Sequence, residues 1–140
     1  MAITTSEGWN RTTEDLGNSR LALNVIEVGG TRSKITVPDA NLSTAPISFE
    51  TSEIEAFRIG YIYFNFSIPV TQTITITKTT GDPNRDQILE VQVLSGNSSA
   101  RFVSIIDTEI NPVDGEQLKL EVTNIGAPNA DVYMTLEVVT

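Results

Sequence analysis

The chain contains no cysteine and no histidine, and each absence excludes a class of chemistry. Without cysteine there can be no disulfide, no thiolate metal site and no thiol nucleophile. Without histidine the chain lacks the commonest general base, a frequent metal ligand and the side chain that titrates near neutral pH. Serine and threonine are plentiful, but no imidazole is present to activate their hydroxyls. We therefore expect no enzymatic activity, no catalytic residues and no cofactor.

Basic residues are also scarce, because nine Lys and Arg stand against eighteen Asp and Glu, for a formal net charge of −9. The nine are scattered, whereas nucleic acids and anionic membranes are bound through clusters of positive charge. No run approaches the roughly 20 apolar residues of a membrane span. The N-terminal residues MAITTSEGWN lack the basic region and apolar core of a signal peptide. These observations predict synthesis in the cytoplasm, and neither a nucleic-acid nor a membrane partner.

What the sequence does contain is alternation with a period of two, most clearly over residues 70–94. Val70, Ile74 and Ile76 alternate with a file of threonines, the turn GDPNRD follows, and the arm QILEVQVL alternates again. A period of two is typical of strands, because successive side chains point to opposite faces. The stretch therefore predicts a long β-hairpin around which the other strands are arranged. In its second arm, Leu89, Val91 and Val93 alternate with Glu90 and Gln92.

Further strands, separated by turn-forming residues, are predicted along the rest of the chain. A capping-box pattern at residues 52–55 predicts one helical turn, and no other helix is indicated. Seven to nine short strands predict an all-β sandwich or barrel over residues 21–140. The predicted strands outside the hairpin are 21–28, 32–37, 57–68, 101–106, 118–122 and 132–138. The side chains predicted to face the core near the C-terminus are Leu118, Leu120, Val122, Val132, Met134, Leu136 and Val138.

Two stretches are candidates for contact with a partner. The strand at 57–68 is apolar on both faces, with Phe57, Ile59, Tyr61 and Tyr63 on one and Ile62, Phe64, Phe66 and Ile68 on the other. Such a strand is either buried on both faces or meets a partner with one of them. We predict that the face bearing Tyr61 and Tyr63 is a partner interface.

Residues 1–20 are the second such stretch, and they are too polar to form a core of their own. Trp9 and Leu16 are their only large apolar residues after Ile3. We interpret the segment as an extended N-terminal arm that ends where the sandwich begins at residue 21. Its Trp9 and Leu16 either bury against a neighbouring subunit or pack onto the core of the same chain.

Asp82, Asn84 and Asp86 place three oxygen-bearing side chains at alternate positions, which is how a calcium-binding loop begins. The rest of that pattern fails, since position six is Gln87 and position twelve is Val93. We therefore predict a polar hairpin turn that needs no metal. A second acidic group flanks another turn and is either a cation site or solvated charge. It comprises Asp107, Glu109, Asp114 and Glu116.

The threonine file from Thr71 to Thr79 allows two interpretations. A row of threonines at strand spacing resembles the arrays of ice-binding β-proteins, although those arrays use several stacked rows. Threonine is also a good strand former on a solvent-exposed face. The second interpretation requires no ligand, and we prefer it.

The last third of the chain combines a turn, two alternating strands and a loop. Gly115-Glu116 form a turn before the strand LKLEVTN, a polar loop reaches Asp131, and a final alternating strand follows. This pattern resembles that of small virion proteins of tailed bacteriophages. The upstream hairpin ITITKTTGDPNRDQILEVQV suits the same architecture, so the resemblance covers about residues 60–140. The fold that it implies is a jelly-roll-like antiparallel β-sandwich.

The resemblance also implies a function, namely a capsid decoration (cement) protein or an accessory protein of the tail or fibre. A decoration protein stabilises the capsid by binding across capsid subunits. Its expected partners are the major capsid protein or other virion subunits, in a homo-oligomer or multi-copy assembly. Its location would be the virion, and the host cytoplasm during assembly. The alternative is a carbohydrate- or receptor-binding β-sandwich of a tail or fibre, present in few copies rather than hundreds.

Deletion of residues 1–16 tests the role of the arm. We expect a folded, soluble domain that no longer joins the particle, because the contacts of Trp9 and Leu16 are lost while residues 21–140 are kept. The measurement is occupancy on particles stripped of this protein, with the full-length chain at matched concentration as the control. Equal occupancy of the two chains would remove the arm from the mechanism.

Overall fold

The computed structural model describes residues 30–140, and within them Arg32–Thr140 form one compact unit. This unit is built from ten strands and two short 3₁₀ turns, Pro83–Arg85 and Pro112–Asp114. The strands are β1 (Arg32–Ile35), β2 (Ala40–Asn41), β3 (Ile47–Glu50), β4 (Phe57–Val70), β5 (Thr73–Thr79), β6 (Gln87–Val93), β7 (Asn97–Phe102), β8 (Glu109–Ile110), β9 (Gln117–Val122) and β10 (Asp131–Val139).

The strands form two antiparallel sheets. The first, which we call sheet 1, has the order β1-β10-β4-β7, with β2 pairing with β10 and β8 with β4. The second, sheet 2, has the order β3-β9-β5-β6. Every strand pair among the described residues is antiparallel. The prediction of an all-β, antiparallel fold is therefore confirmed for the described residues, and β5 and β6 form the predicted hairpin.

One apolar cluster takes side chains from both sheets. Alternation explains its membership, since β9 and β10 each bury every second residue over most of their length. Phe64 of β4 and Phe102 of β7 meet edge to face, with ring centroids 5.7 Å apart. All seven residues predicted for the core near the C-terminus are buried: Leu118, Leu120, Val122, Val132, Met134, Leu136 and Val138.

In β6 the polar residues Glu90 and Gln92 face the core side, and the apolar residues Val91 and Val93 face outward. Its partner Ile74 is fully buried and lies opposite Gln92, so Gln92 and Glu90 point toward the core side. Val91 and Val93 lie opposite Thr75 and Thr73, on the outer face, and are 47% and 72% exposed. These two polar side chains form hydrogen bonds at the edge of the sandwich. Gln92 Nε2 donates to the carbonyl of Arg101 at 2.8 Å, and Ser104 Oγ donates to Glu90 at 2.6 Å.

Two predicted elements differ from the structure. The strand predicted at 101–106 is β7, which begins at Asn97 and ends at Phe102, because the preceding turn is short and closes with Asn97 Oδ1 accepting from Ser95 N. The helical turn predicted at residues 52–55 is absent. The side chain of Gln117 binds both the N–H and the C=O of Glu53, and these bonds replace those of a helical turn.

Threonines on β5 share one face, as predicted, but this face is not a flat exposed array. Thr77 and Thr79 are each only 6% exposed, while Thr73 and Thr75 are half-buried. Thr79 Oγ1 donates to a carboxylate oxygen of Glu50 on β3. A side chain of β3, two strands away in sheet 2, therefore reaches the end of the file. The expectation of a solvent-exposed face is wrong for Thr77 and Thr79.

Leu120→Ala tests the core. Leu120 is fully buried at the centre of sheet 2, so we expect the free energy of unfolding to fall by roughly 2–5 kcal/mol from lost transfer energy and the remaining cavity. Urea denaturation measures the loss. The control is Ile54→Ala, since Ile54 is 84% exposed and should change stability by less than about 0.5 kcal/mol. A similar small loss for Leu120→Ala would contradict the observed register.

Candidate functional site

A single extra residue in β4 determines what the outer face of sheet 1 displays. Glu137 of β10 pairs with Tyr61, but the next residue, Val138, pairs with Ile59, so Gly60 is the extra residue of a β-bulge. A Cβ added at Gly60 would lie 3.2 Å from the carbonyl oxygen of Glu137. The backbones approach so closely at this point that glycine fits best.

The bulge corrects the prediction that β4 has two apolar faces over its whole length. Phe57 and Ile59 were expected on the face of Tyr61 and Tyr63, but the shift of one residue moves them to the buried face. They join Ile62, Phe64 and Phe66 in the core. The tyrosines are left on the outer face, where both are half-buried.

Three tyrosines, all that the chain contains, lie on this outer face. The rings of Tyr61 and Tyr63 stack with centroids 6.1 Å apart and planes 14° apart. Tyr133 of β10 lies opposite Asn65 and is 44% exposed. We call this surface the tyrosine face; its other members are Lys34, Asn65, Ser99, Arg101, Thr135 and Glu137.

The tyrosine face and its margin also hold much of the positive charge in the described residues. Arg101 lies directly opposite Tyr63, and Lys34 lies opposite Glu137. Arg32 forms an ion pair with Glu137 at 3.4 Å, and Arg58 on the same side of the sheet forms one with Asp107 at 3.3 Å. Lys34 and Arg101 have no ion-pair partner among residues 30–140. The other basic residues of this part, Lys78, Arg85 and Lys119, belong to sheet 2 or its hairpin turn.

A stacked aromatic pair beside cations that have no ion-pair partner among residues 30–140 has the chemistry of a binding surface. Tyr and Arg are enriched in the energetically dominant positions of protein interfaces, because both offer large contact area together with hydrogen-bonding groups. Tyr61 and Tyr63 were predicted from the sequence as interface residues, whereas Tyr133 and Arg101 were not. Their places beside Tyr61 and Tyr63 depend on how β10 and β7 pair with β4. Within each strand, alternation was the one feature of the sequence that indicated which face these side chains share.

Trp9 and Leu16, the other predicted interface residues, lie outside the described residues, as does the predicted arm. Their contribution to an interface stays a prediction.

The structure brings together part of each acidic group that the sequence offered as a cation candidate, while Asp107 and Glu109 do not line the shared pocket. Asp82 from the β5–β6 turn and Asp114 and Glu116 from the turn before β9 line one pocket of about 350 Å³. Thr80 and Arg85 complete its lining. Lys78 Nζ lies 3.8 Å from Glu116, so the chain itself supplies cations beside these carboxylates.

The oxygens of these turns are largely engaged by the chain. Asp82 Oδ1 accepts from Asn84 N at 3.1 Å, and Asp86 Oδ1 accepts from Thr80 N at 2.9 Å. Glu116 Oε1 accepts from Asn111 N at 2.9 Å. Such bonds are those of side chains that close turns. Among residues 30–140, no group of three or more His, Cys, Asp or Glu is arranged to hold a metal ion.

No protein-family model matches the sequence, and no curated protein is significantly similar to it. In the part of the chain that the structure describes, no helix is long and apolar enough to cross a membrane.

Calcium titration tests the acidic turns. We expect millimolar calcium to leave the melting temperature unchanged, since Asp82 and Asp86 already accept backbone N–H bonds. Asp82→Ala should lower stability by about 1 kcal/mol, with or without calcium, because the bond to Asn84 N is lost. A large rise in melting temperature on adding calcium, abolished in Asp82→Ala, would instead establish a metal site.

Proposed function

We propose that this chain is a non-enzymatic structural protein of a phage virion that decorates and stabilises the capsid by binding across capsid subunits through its tyrosine face. The observation that carries the proposal is the juxtaposition of Tyr61, Tyr63, Tyr133 and Arg101 on one outer sheet face. Alanine scans of protein interfaces find that Tyr and Arg side chains supply a disproportionate share of binding free energy. The complementary surface on the partner would present carboxylates around an apolar patch, because Lys34 and Arg101 form no ion pair within the part of the chain that the structure describes.

The strand order supports a jelly-roll assignment for the fold. In a jelly roll, two four-stranded sheets are formed by strands that alternate between them in Greek-key fashion. The orders β1-β10-β4-β7 and β3-β9-β5-β6 fit this scheme, since β3 and β9 pair in one sheet while β4 and β10 pair in the other. Jelly rolls are common in viral capsid and lectin domains. This agrees with the resemblance of the C-terminal third to virion proteins, although fold alone does not establish function.

Stabilisation would follow from linkage. A protein that binds the closed shell more tightly than the opened one adds its binding free energy to the cost of opening, and many symmetric copies multiply the effect. Binding across subunit boundaries is essential, because a copy held by a single subunit would stay bound after the shell opens. No chemical step is required, which suits a chain without histidine or cysteine.

The alternative function, a carbohydrate- or receptor-binding module of a tail or fibre, is favoured by one specific observation. The stacked Tyr61–Tyr63 pair lies beside Asn65, Arg101 and Thr135, whose side chains can bond to hydroxyl groups. Lectin domains also use jelly rolls. Copy number in the native assembly separates the alternatives, since decoration requires many copies and receptor binding few.

The proposal is tested by binding to particles stripped of this protein. Arg101→Ala and the double variant Tyr61→Ala/Tyr63→Ala should each weaken binding by roughly 30-fold or more, the effect of losing about 2 kcal/mol at an interface hot spot. Arg85→Ala is the matched control for Arg101, because Arg85 lies in the β5–β6 turn of the other sheet. Circular dichroism checks that every variant is folded.

Wild-type occupancy by the tyrosine and Arg101 variants would rule out the tyrosine face as the capsid contact. A different outcome would favour the carbohydrate-binding alternative. In that case the wild type would bind to a glycan array but not to stripped particles, and the same variants would lose glycan binding.

A further inference from the structure

The four outer edges of the two sheets differ in how well they are protected against pairing with another strand. Exposed edge strands present unpaired backbone groups, and proteins usually protect them with charge, short length or covering segments. β1 has four residues and carries Arg32 and Lys34, and β3 has four and carries Glu50. β7 is longer, but its exposed side chains are polar or charged and include Arg101.

β6 lacks this protection among the described residues. It has seven residues, and Ile88, Val91 and Val93 are 63%, 47% and 72% exposed. Its single charged residue, Glu90, points to the inner side and accepts hydrogen bonds from Ser104 Oγ and Gln92 Nε2. This edge is therefore long, apolar on its outer face and uncharged there.

The backbone of β6 offers Val91 and Val93 to a new strand. Leu94 N donates to the carbonyl of Gln72, so the backbone N–H and C=O groups of Leu94 point toward β5. By alternation, the backbone groups of Gln92 point the same way. Val91 and Val93 then direct their N–H and C=O groups to the open side. The other side of the hairpin agrees, because the carbonyl of Thr73, opposite Val93, accepts from Thr123 N rather than from β6.

We propose that this edge is a self-association surface, on which β6 of a second copy pairs antiparallel to form one continuous eight-stranded sheet. The pairing is self-complementary when Gln92 lies opposite Gln92 of the second copy. Val91 and Val93 of each copy then exchange four backbone hydrogen bonds with Val93 and Val91 of the other. Their exposed side chains come together on the same outer face, where each loses contact with water.

Charge is compatible with a second copy as the occupant despite the net charge of −9. In this register Glu90 lies opposite Leu94 of the other copy, and the two Glu90 residues are about 14 Å apart along the strands at roughly 3.4 Å per residue. That separation exceeds the Debye length of about 8 Å at physiological ionic strength. Self-pairing therefore brings no like charges into contact, and two-fold dimers with identical patches are the commonest oligomers.

The contact is small compared with the roughly 1,200–2,000 Å² of standard interfaces. We therefore expect a weak dimer with Kd on the order of 100 µM in free solution. In a multi-copy assembly, where neighbours are held close, such a contact becomes intramolecular and is strengthened by effective concentration. The inference concerns a different surface from the tyrosine face and does not depend on the capsid proposal.

Sedimentation equilibrium of the full-length chain from about 10 µM to about 1 mM brackets the expected Kd. The wild type should pass from monomer to dimer across this range. Val93→Pro removes only an N–H that points to the open edge, where proline is tolerated, and should raise Kd at least tenfold. Val91→Lys places a charge at the centre of the contact and should do the same. Val113→Lys is the matched control, because Val113 is 81% exposed in the turn before β9, and its Kd should be unchanged.

A cysteine substitution tests the register, since the chain has no cysteine of its own. Directly opposed residues of this kind have Cα atoms about 4.5 Å apart, within the range that a disulfide spans. Gln92→Cys should therefore form a covalent dimer on mild oxidation faster than Ser99→Cys on the edge strand β7. A monomeric wild type throughout the range, unchanged dimerisation in folded Val93→Pro and Val91→Lys, or equal cross-linking rates would each overturn the proposal.

Discussion

The bulge at Gly60 is the constraint on which the outer surface of sheet 1 depends. Without the extra residue, strict alternation would place Phe57 and Ile59 on the same side as Tyr61 and Tyr63. Either two large apolar side chains would then be exposed or two tyrosines would have to enter the core. With the extra residue, the same strand buries Phe57 and Ile59 and keeps Tyr61 and Tyr63 on the outer face. The close approach of the Glu137 carbonyl explains why a residue without a Cβ occupies the position.

Buried and half-buried polar side chains connect the loops to the sheets. Gln72 is 2% exposed, and its side chain donates to the carbonyl of Ile125 and accepts from Ile125 N and Thr123 Oγ1. Gln117 plays the same part at the other end, bonding to Thr51 and Glu53. An amide side chain offers both donors and acceptors, so it can pair with a loop backbone that has no strand beside it. These bonds remove the cost of burying unpaired polar groups where the chain crosses between sheets.

The two sheets present surfaces of different character. The tyrosine face of sheet 1 combines aromatic rings with Lys34 and Arg101, for which the described residues supply no ion-pair partner. Under the proposed function this face would meet an acidic partner. The β6 edge of sheet 2 combines exposed valines with outward-pointing backbone groups, which suits a strand of the same kind. The two lie on different strands and can be occupied at once. If both proposed contacts form, one copy would bind a capsid subunit and a neighbouring copy at the same time, as the proposed multi-copy assembly requires.

Alternation and turn chemistry in the sequence determined the all-β class, the β5–β6 hairpin and the buried side chains of β9 and β10, because a period of two depends only on local backbone geometry. For β6, however, alternation did not decide which side of the strand meets the core. Val91 and Val93 look like core residues from alternation alone, yet pairing of Thr75 and Thr73 with them places them outside. The Gly60 bulge, the joining of two acidic turns at one pocket and the neighbours of Tyr63 were likewise decided by tertiary structure. Each depends on register between strands distant in sequence, and register is set by how two whole sheets enclose one core.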